Sequence, residues 1–205
     1  MPVGLPPSRP RATLFRSARL ERLTVISMRR FVVLWAVLLP AIAIAALTYA
    51  PTSWAPALVI LGWLVWSLTE YLLHRYVFHF EPRSVLFQRA VFIIHGNHHD
   101  DSNDPLRNLM PEIVSIPVGA LIWAVTVAVA GPAGTWFLLG FMLGYVVYDL
   151  VHYACHQFAM KGRFGRALKA YHIRHHLLQA KGNFAITGML WDRIFGTRIP
   201  SSSGT

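Results

Sequence analysis

Four stretches of this chain, approximately residues 31–50, 55–74, 113–130 and 135–153, are nearly free of charge. Each matches the roughly 20 apolar residues that an α-helix needs to cross a bilayer. Backbone polar groups inside a bilayer must pair within their own segment, so such stretches fold as helices. The turns between the first two stretches (Pro51, Thr52, Ser53, Trp54) and between the last two (Gly131, Pro132, Ala133, Gly134) carry no charge. Every Lys and Arg lies ahead of the first stretch, between the second and third, or after the fourth. The positive-inside tendency then predicts two hairpins, with both termini and the central loop in the cytoplasm. Of the 205 residues 55% are hydrophobic and only 14% charged, a balance that fits an integral membrane protein and a single domain.

Residues 1–30 are rich in Pro and Arg and read as a cytoplasmic N-terminal arm, disordered in part, ahead of a membrane-embedded domain over residues 31–200. The arm lacks the small-residue cleavage site of a secretory signal, and the stretch behind it is too long for a signal core. Met28, followed by Arg29 and Arg30, also fits a translation start, which would leave the arm without function. The formal net charge of +10 comes from residues that flank apolar stretches, where topology and anionic headgroups account for them without nucleic acid. The expected location is a bacterial inner membrane rather than an organelle. The lone Cys155 excludes an internal disulfide and reads as a small buried residue.

All ten histidines fall into four groups: His74 and His79; His95, His98 and His99; His152 and His156; His172, His175 and His176. Imidazole is the commonest metal-binding side chain, and groups on neighbouring helical turns converge readily. The two H-x-x-H-H groups place three rings on one helix face, able to point at a common centre. His152 and His156 share a face in the same way. His74 and His79 stand roughly 140° apart on an ideal helix, so they serve different metals or the helix is distorted between them.

Every group maps to the cytoplasmic end of a stretch, so one helical cap can hold all ten. His95, His98 and His99 are expected in the loop after the second stretch, and the last three on a short helix starting near Arg166. Ten imidazoles exceed the needs of one ion, and two metals is the economical count. A set made of histidine alone points to chemistry rather than to structural zinc, while the zinc-protease pattern H-E-x-x-H is absent. Glu70, one turn before His74, and Asp149, three residues before His152, read as carboxylates that receive the second N–H of a metal-bound histidine. Asn183 reads as lining the site, completing the coordination, or forming a turn.

Those groups, set in His95-Gly-Asn-His-His99, Tyr148-Asp-Leu-Val-His-Tyr153 and Tyr171-His-Ile-Arg-His-His176, resemble the fatty acid hydroxylase and sterol desaturase superfamily. Glu70-Tyr-Leu-Leu-His-Arg-Tyr-Val-Phe-His79, Asp104-Pro-Leu-Arg-Asn-Leu-Met-Pro111 and Leu190-Trp-Asp-Arg-Ile-Phe-Gly-Thr197 are most similar to its fatty acid 2-hydroxylase branch. The resemblance runs from about residue 66 to 197. It implies a membrane oxidoreductase with a dinuclear metal centre, iron in the working state, although zinc readily fills such sites on purification. It further implies O2 as co-substrate, a lipid substrate hydroxylated at carbon 2 of an acyl chain, and all ten histidines as metal-site residues. Many eukaryotic members carry a cytochrome b5-like domain, for which this chain has no room. Electrons are then expected from a separate donor, cytochrome b5-like or a ferredoxin with its reductase. Lys161, Arg163, Arg166 and Lys169 could dock such a donor or simply flank the fourth stretch. Trp63, Trp66, Tyr71 and Phe78 fit either the mouth of an apolar site or the interfacial aromatic belt.

Two other readings remain at this point. One is a hydroxylase or desaturase of a sterol, carotenoid or other isoprenoid lipid. The other is a histidine-based metal transporter, which is the weaker because its ionisable groups would be needed near mid-bilayer rather than at one face.

Overall fold

A computed structural model describes residues 13–178 and 182–200, which are mostly helical with no strand among them. The expected arm therefore lies partly outside the described residues; within them it carries a short helix, α1 (Ala18–Leu23). Three helical segments are long and apolar enough to cross a membrane: Met28–Tyr49, Ala55–Phe78 and Glu112–Gln157. The first is helix α2, opened by Ser27, whose side chain accepts from Arg30 N. The second is α3 (Ala55–Leu73) continued by a π-turn over His74–Phe78. The third is broken by a 3₁₀ turn at Gly131–Ala133 into α6 (Glu112–Ala130) and α7 (Gly134–Gln157). Gly131 takes φ +64°, a left-handed conformation that suits glycine at the end of a helix.

Helix α7 is the axis of the molecule and packs against α2, α3 and α6. Its contact with α3 is the closest, because small residues let the backbones meet: a Cβ on Gly62 would run into Phe137 O, and one on Gly140 into Val59 O. Small residues at such crossings are the usual means of bringing membrane helices together. Above these glycines, Trp66 sits edge-on to Phe141, Tyr145 and Tyr148, while Phe31 and Trp35 of α2 pack against Tyr145. This aromatic layer sets the height at which α3 and α7 emerge carrying their histidines. Short helices then close the histidine end: α4 (Val85–Val91), a second π-turn (Phe92–Gly96), α5 (Asn97–Asp100), α8 (Gly162–Leu177) and α9 (Leu190–Ile194). His95, His98 and His99, expected in a loop, are thus helical.

Candidate metal centre

The ten histidines gather at one end of the fold in two groups of five. His74, His79, His95, His99 and His175 form the first quintet; His98, His152, His156, His172 and His176 form the second. Within each quintet the ligand nitrogens lie within 4.8 Å of one another. The quintets abut, with the His99 and His176 rings stacked 4.1 Å apart.

This partition corrects the expectation that each H-x-x-H-H group points at a single centre. His95 and His99, four residues apart, share the first quintet, and His98 turns to the second; His172 and His176 share the second, and His175 turns to the first. Adjacent residues on a helix differ by about 100°, so His98 and His99 aim at neighbouring points rather than one. Each triplet therefore contributes to both quintets. His74 and His79 fall in the same quintet, so of the two alternatives the geometry favours a distorted helix over separate centres. The π-turn over His74–Phe78 is the local distortion that joins them, since its wider turn brings residues five apart toward one face.

The outward nitrogens of four histidines are held by backbone or amide oxygens. His74 Nδ1 donates to Phe184 O, and His175 Nδ1 to Gly182 O at 2.8 Å. His152 Nδ1 donates to Asn108 O at 2.9 Å, and His98 Nδ1 to Asn108 Oδ1 at 3.1 Å. The Asn108 amide is oriented by its own Nδ2, which donates to Ser102 O. With Nδ1 carrying the proton, Nε2 of both His98 and His152 must present a lone pair. These two lone pairs face each other at 2.9 Å. Two acceptors at that distance repel unless a cation lies between them, so the donor set fits a bound metal ion. Five imidazoles per quintet, without cysteine or carboxylate among the described residues of either group, would suit a borderline divalent metal such as iron or zinc.

Burial favours the ligand-ready neutral form. His95, His98 and His172 are pushed well below the ordinary imidazole range, by burial first and by neighbouring histidines second. His79 and His176 are lowered to about 3, and His175 to about 4, again chiefly by burial. Neutral imidazole is the form that binds metal.

Glu70 and Asp149 act one step further out than expected. Glu70 Oε1 accepts from Ile186 N, Thr187 N and Thr187 Oγ1, and Asp149 Oδ2 accepts from Met110 N. Both carboxylates pin the loops whose oxygens meet the histidines, because a loop amide needs a buried acceptor while an imidazole N–H is served equally well by a carbonyl. Asn183 is not a coordinating group: its Nδ2 donates to Tyr171 O and its Oδ1 accepts from Ile199 N. With φ +58° it is the turn-former. Phe78 lines the site, whereas Trp66 and Tyr71 are core residues.

Two positions escaped the sequence reading. Asn108 orients both His98 and His152, and Asp192, fully buried, accepts from Phe184 N and Ala185 N and from Thr197 Oγ1. Both lie inside stretches that carried the family resemblance, which is the signal that was available.

A cleft of about 280 Å³ opens onto His95, His98 and His152. Its other walls are mostly apolar, including Phe78, Ile93, Ile94, Met110, Ile113 and Val114.

Residues 59–197 match the family described as fatty acid hydroxylase. Over 154 residues the chain is 36% identical to a fatty acid 2-hydroxylase of Homo sapiens, covering 73% of this chain and 41% of that protein. Over 142 residues it is 39% identical to the dihydroceramide fatty acyl 2-hydroxylase FAH1 of Arabidopsis thaliana, covering 68% and 60% respectively. Over 162 residues it is 37% identical to the ceramide very long chain fatty acid hydroxylase scs7 of Schizosaccharomyces pombe, covering 76% and 46%. The chain thus spans between two and three fifths of the length of these relatives. Among solved structures it is similar to full-length scs7p, in which only the hydroxylase domain is visible, with a TM-score of 0.81 and 30% identity over 90% of this chain and 71% of that one.

Proposed function

The chain belongs to the fatty acid hydroxylase family, and from that premise we propose that it is a membrane oxidoreductase that hydroxylates carbon 2 of a fatty acyl chain, using O2 and two metal ions. The observation that carries the reading is the pairing of two histidine quintets with an apolar cleft that reaches them. All ten histidines serve as ligands in this reading, with iron as the working metal. Bound there, a redox-active pair supplies the reductive chemistry on O2 that an unactivated C–H bond requires. One oxygen atom enters the C–H bond and the other leaves as water, with two electrons and two protons drawn from a separate donor.

The chain's own residues set the conditions for that reaction. Phe184 O, Gly182 O, Asn108 O and Asn108 Oδ1 fix the ring orientations of four histidines, so that their Nε2 atoms converge. Phe78, Ile93, Ile94, Ile113 and Val114 give an acyl chain an apolar path and keep bulk water from the reacting carbon.

We further read the third apolar segment as two spans, α6 and α7, giving four in all, with both termini and the histidine end in the cytoplasm. Reporter fusions at Thr52 and Ala133 are expected on the far side and one at Ser102 in the cytoplasm; a cytoplasmic signal at Thr52 would break this topology. The relatives named above come from a human, a plant and a yeast, and lend no support to a bacterial inner membrane over an organelle.

The deciding experiment is lipid mass spectrometry of cells with and without the gene, followed by reconstitution with an electron donor. Loss of 2-hydroxy acyl species without the gene is the expected result. Unchanged acyl lipids alongside altered sterols or carotenoids would overturn it.

A further inference from the structure

The arm ahead of α2 lies outside the 59–197 family match, yet the structure uses it. Phe15, Leu20, Leu23 and Thr24 form one wall of the cleft that reaches His95, His98 and His152. Leu20 and Leu23, three residues apart, share a face of α1. The helix has six residues, none of them buried, and a helix so short is not stable by itself.

Its position is imposed by two ties to the loop over residues 104–111. Glu21 Oε2 accepts from Leu14 N and Phe15 N, while Glu21 Oε1 pairs with Arg107 Nη2 at 2.6 Å. Arg107 is buried, its side chain only 3% exposed, so the pair is shielded on one side and holds better than a surface ion pair. Ile26, itself buried, donates its N–H to Leu106 O. Arg107 and Leu106 are close in sequence to Asn108, which orients His98 and His152. The arm is thus fastened to the loop that braces the second quintet, and it leaves two leucines, both nearly half exposed, beside an apolar path.

We propose that residues 15–24 are the substrate-selecting wall of the cleft, in which Leu20 and Leu23 contact the acyl chain of a membrane lipid and the Glu21–Arg107 pair latches the wall in place. The assignment rests on the lipid hydroxylase reading. It gives the arm a function, where a translation start at Met28 would leave it without one. A bulkier side chain at the wall narrows the path, and release of the latch widens it. Hydrophobic walls discriminate by about tenfold or more per misfit methylene, which sets the scale of the effect.

The test uses the full chain in membranes with its electron donor, supplied with a short-chain and a long-chain acyl lipid in competition. Leu20→Trp is expected to shift the ratio of the two kcat/KM values by about tenfold toward the short chain, with metal content unchanged. Glu21→Ala is expected to relax the wild-type preference. In parallel, a photo-crosslinking residue placed at position 20 or 23 is expected to capture an acyl-diazirine lipid, whereas one at Phe164, which is exposed and not part of the cleft, is not. An unchanged ratio in both variants with no capture at 20 or 23 would overturn the proposal, while wild-type turnover would leave the hydroxylase reading standing. If the wild type fails to hydroxylate either lipid, that reading falls, and capture at 20 or 23 still decides whether the wall meets lipid.

Discussion

The two quintets present the same ligands at similar spacing, yet they are built on different scaffolds. The second takes His152 and His156 from α7, the central helix of the bundle, and is braced by Asn108 from the loop before α6. The first takes His74 and His79 from the distorted end of α3 and is braced by Gly182 O and Phe184 O, from a loop beyond the last histidine. That loop is held in turn by Asp192 at Phe184 N and Ala185 N, by Glu70 at Ile186 N and Thr187 N, and by Asn183 at Tyr171 O and Ile199 N. One centre therefore inherits its geometry from a packed membrane helix. The other depends on a chain of buried hydrogen bonds that closes only when residues 182–199 are in place. The lesson is that ligand identity and ligand support are separate properties, and the first centre is the more easily uncoupled.

The largest effect expected is from the ligands themselves. His99→Ala in the first quintet, and His156→Ala or His176→Ala in the second, should each reduce hydroxylation to background, because the proposed reaction needs both quintets intact. Near-normal turnover in all three would remove these residues from the site and dissolve the comparison.

Next in size come the braces, which act on one quintet at a time. Asp192→Ala frees the amides of Phe184 and Ala185 and slackens the carbonyls that orient His74 and His175. Loss of such outer partners typically weakens metal binding by about 10- to 100-fold. Titration of metal-free protein should then show the first site weakened and the second unchanged. Asn108→Ala removes the acceptor of His98 Nδ1 and should do the reverse. Equal loss from both sites in both variants would mean that the quintets share one scaffold.

A separate effect falls on the pH dependence of stability. His79 and His176 are lowered to about 3 and His175 to about 4 in the folded chain, against an ordinary 6.5. Between about 6.5 and those values the unfolded chain takes up protons that the folded chain does not. Stability of the metal-free protein should therefore fall as pH drops below about 6.5 and stay level above it. Denaturation midpoints measured on both sides of that value check the sign, and a midpoint that rises on acidification would contradict it.

Much of this arrangement is legible in the residues alone. Unbroken apolar stretches give the helices α2, α3, α6 and α7 within a few residues, because length and hydropathy leave a chain in lipid little choice. The spacing of the histidines marks all ten members of the two quintets. What spacing cannot carry is direction. His98 and His99 are neighbours in sequence and belong to different centres, and the π-turn that unites His74 with His79 has no composition of its own. The braces are equally silent, since a carbonyl such as Phe184 O exists at every residue and only tertiary packing decides which one meets an imidazole. Glu70 and Asp149 stand out in the sequence as carboxylates placed to receive a histidine N–H, but their targets are loop amides.

The proposed chemistry requires one metal ion in each quintet. Elemental analysis of the full chain, purified under conditions that preserve iron, tests it most directly, with anomalous scattering to place the ions. Two ions per chain are expected, one among His74, His79, His95, His99 and His175 and one among His98, His152, His156, His172 and His176. One ion per chain, or none, would contradict it.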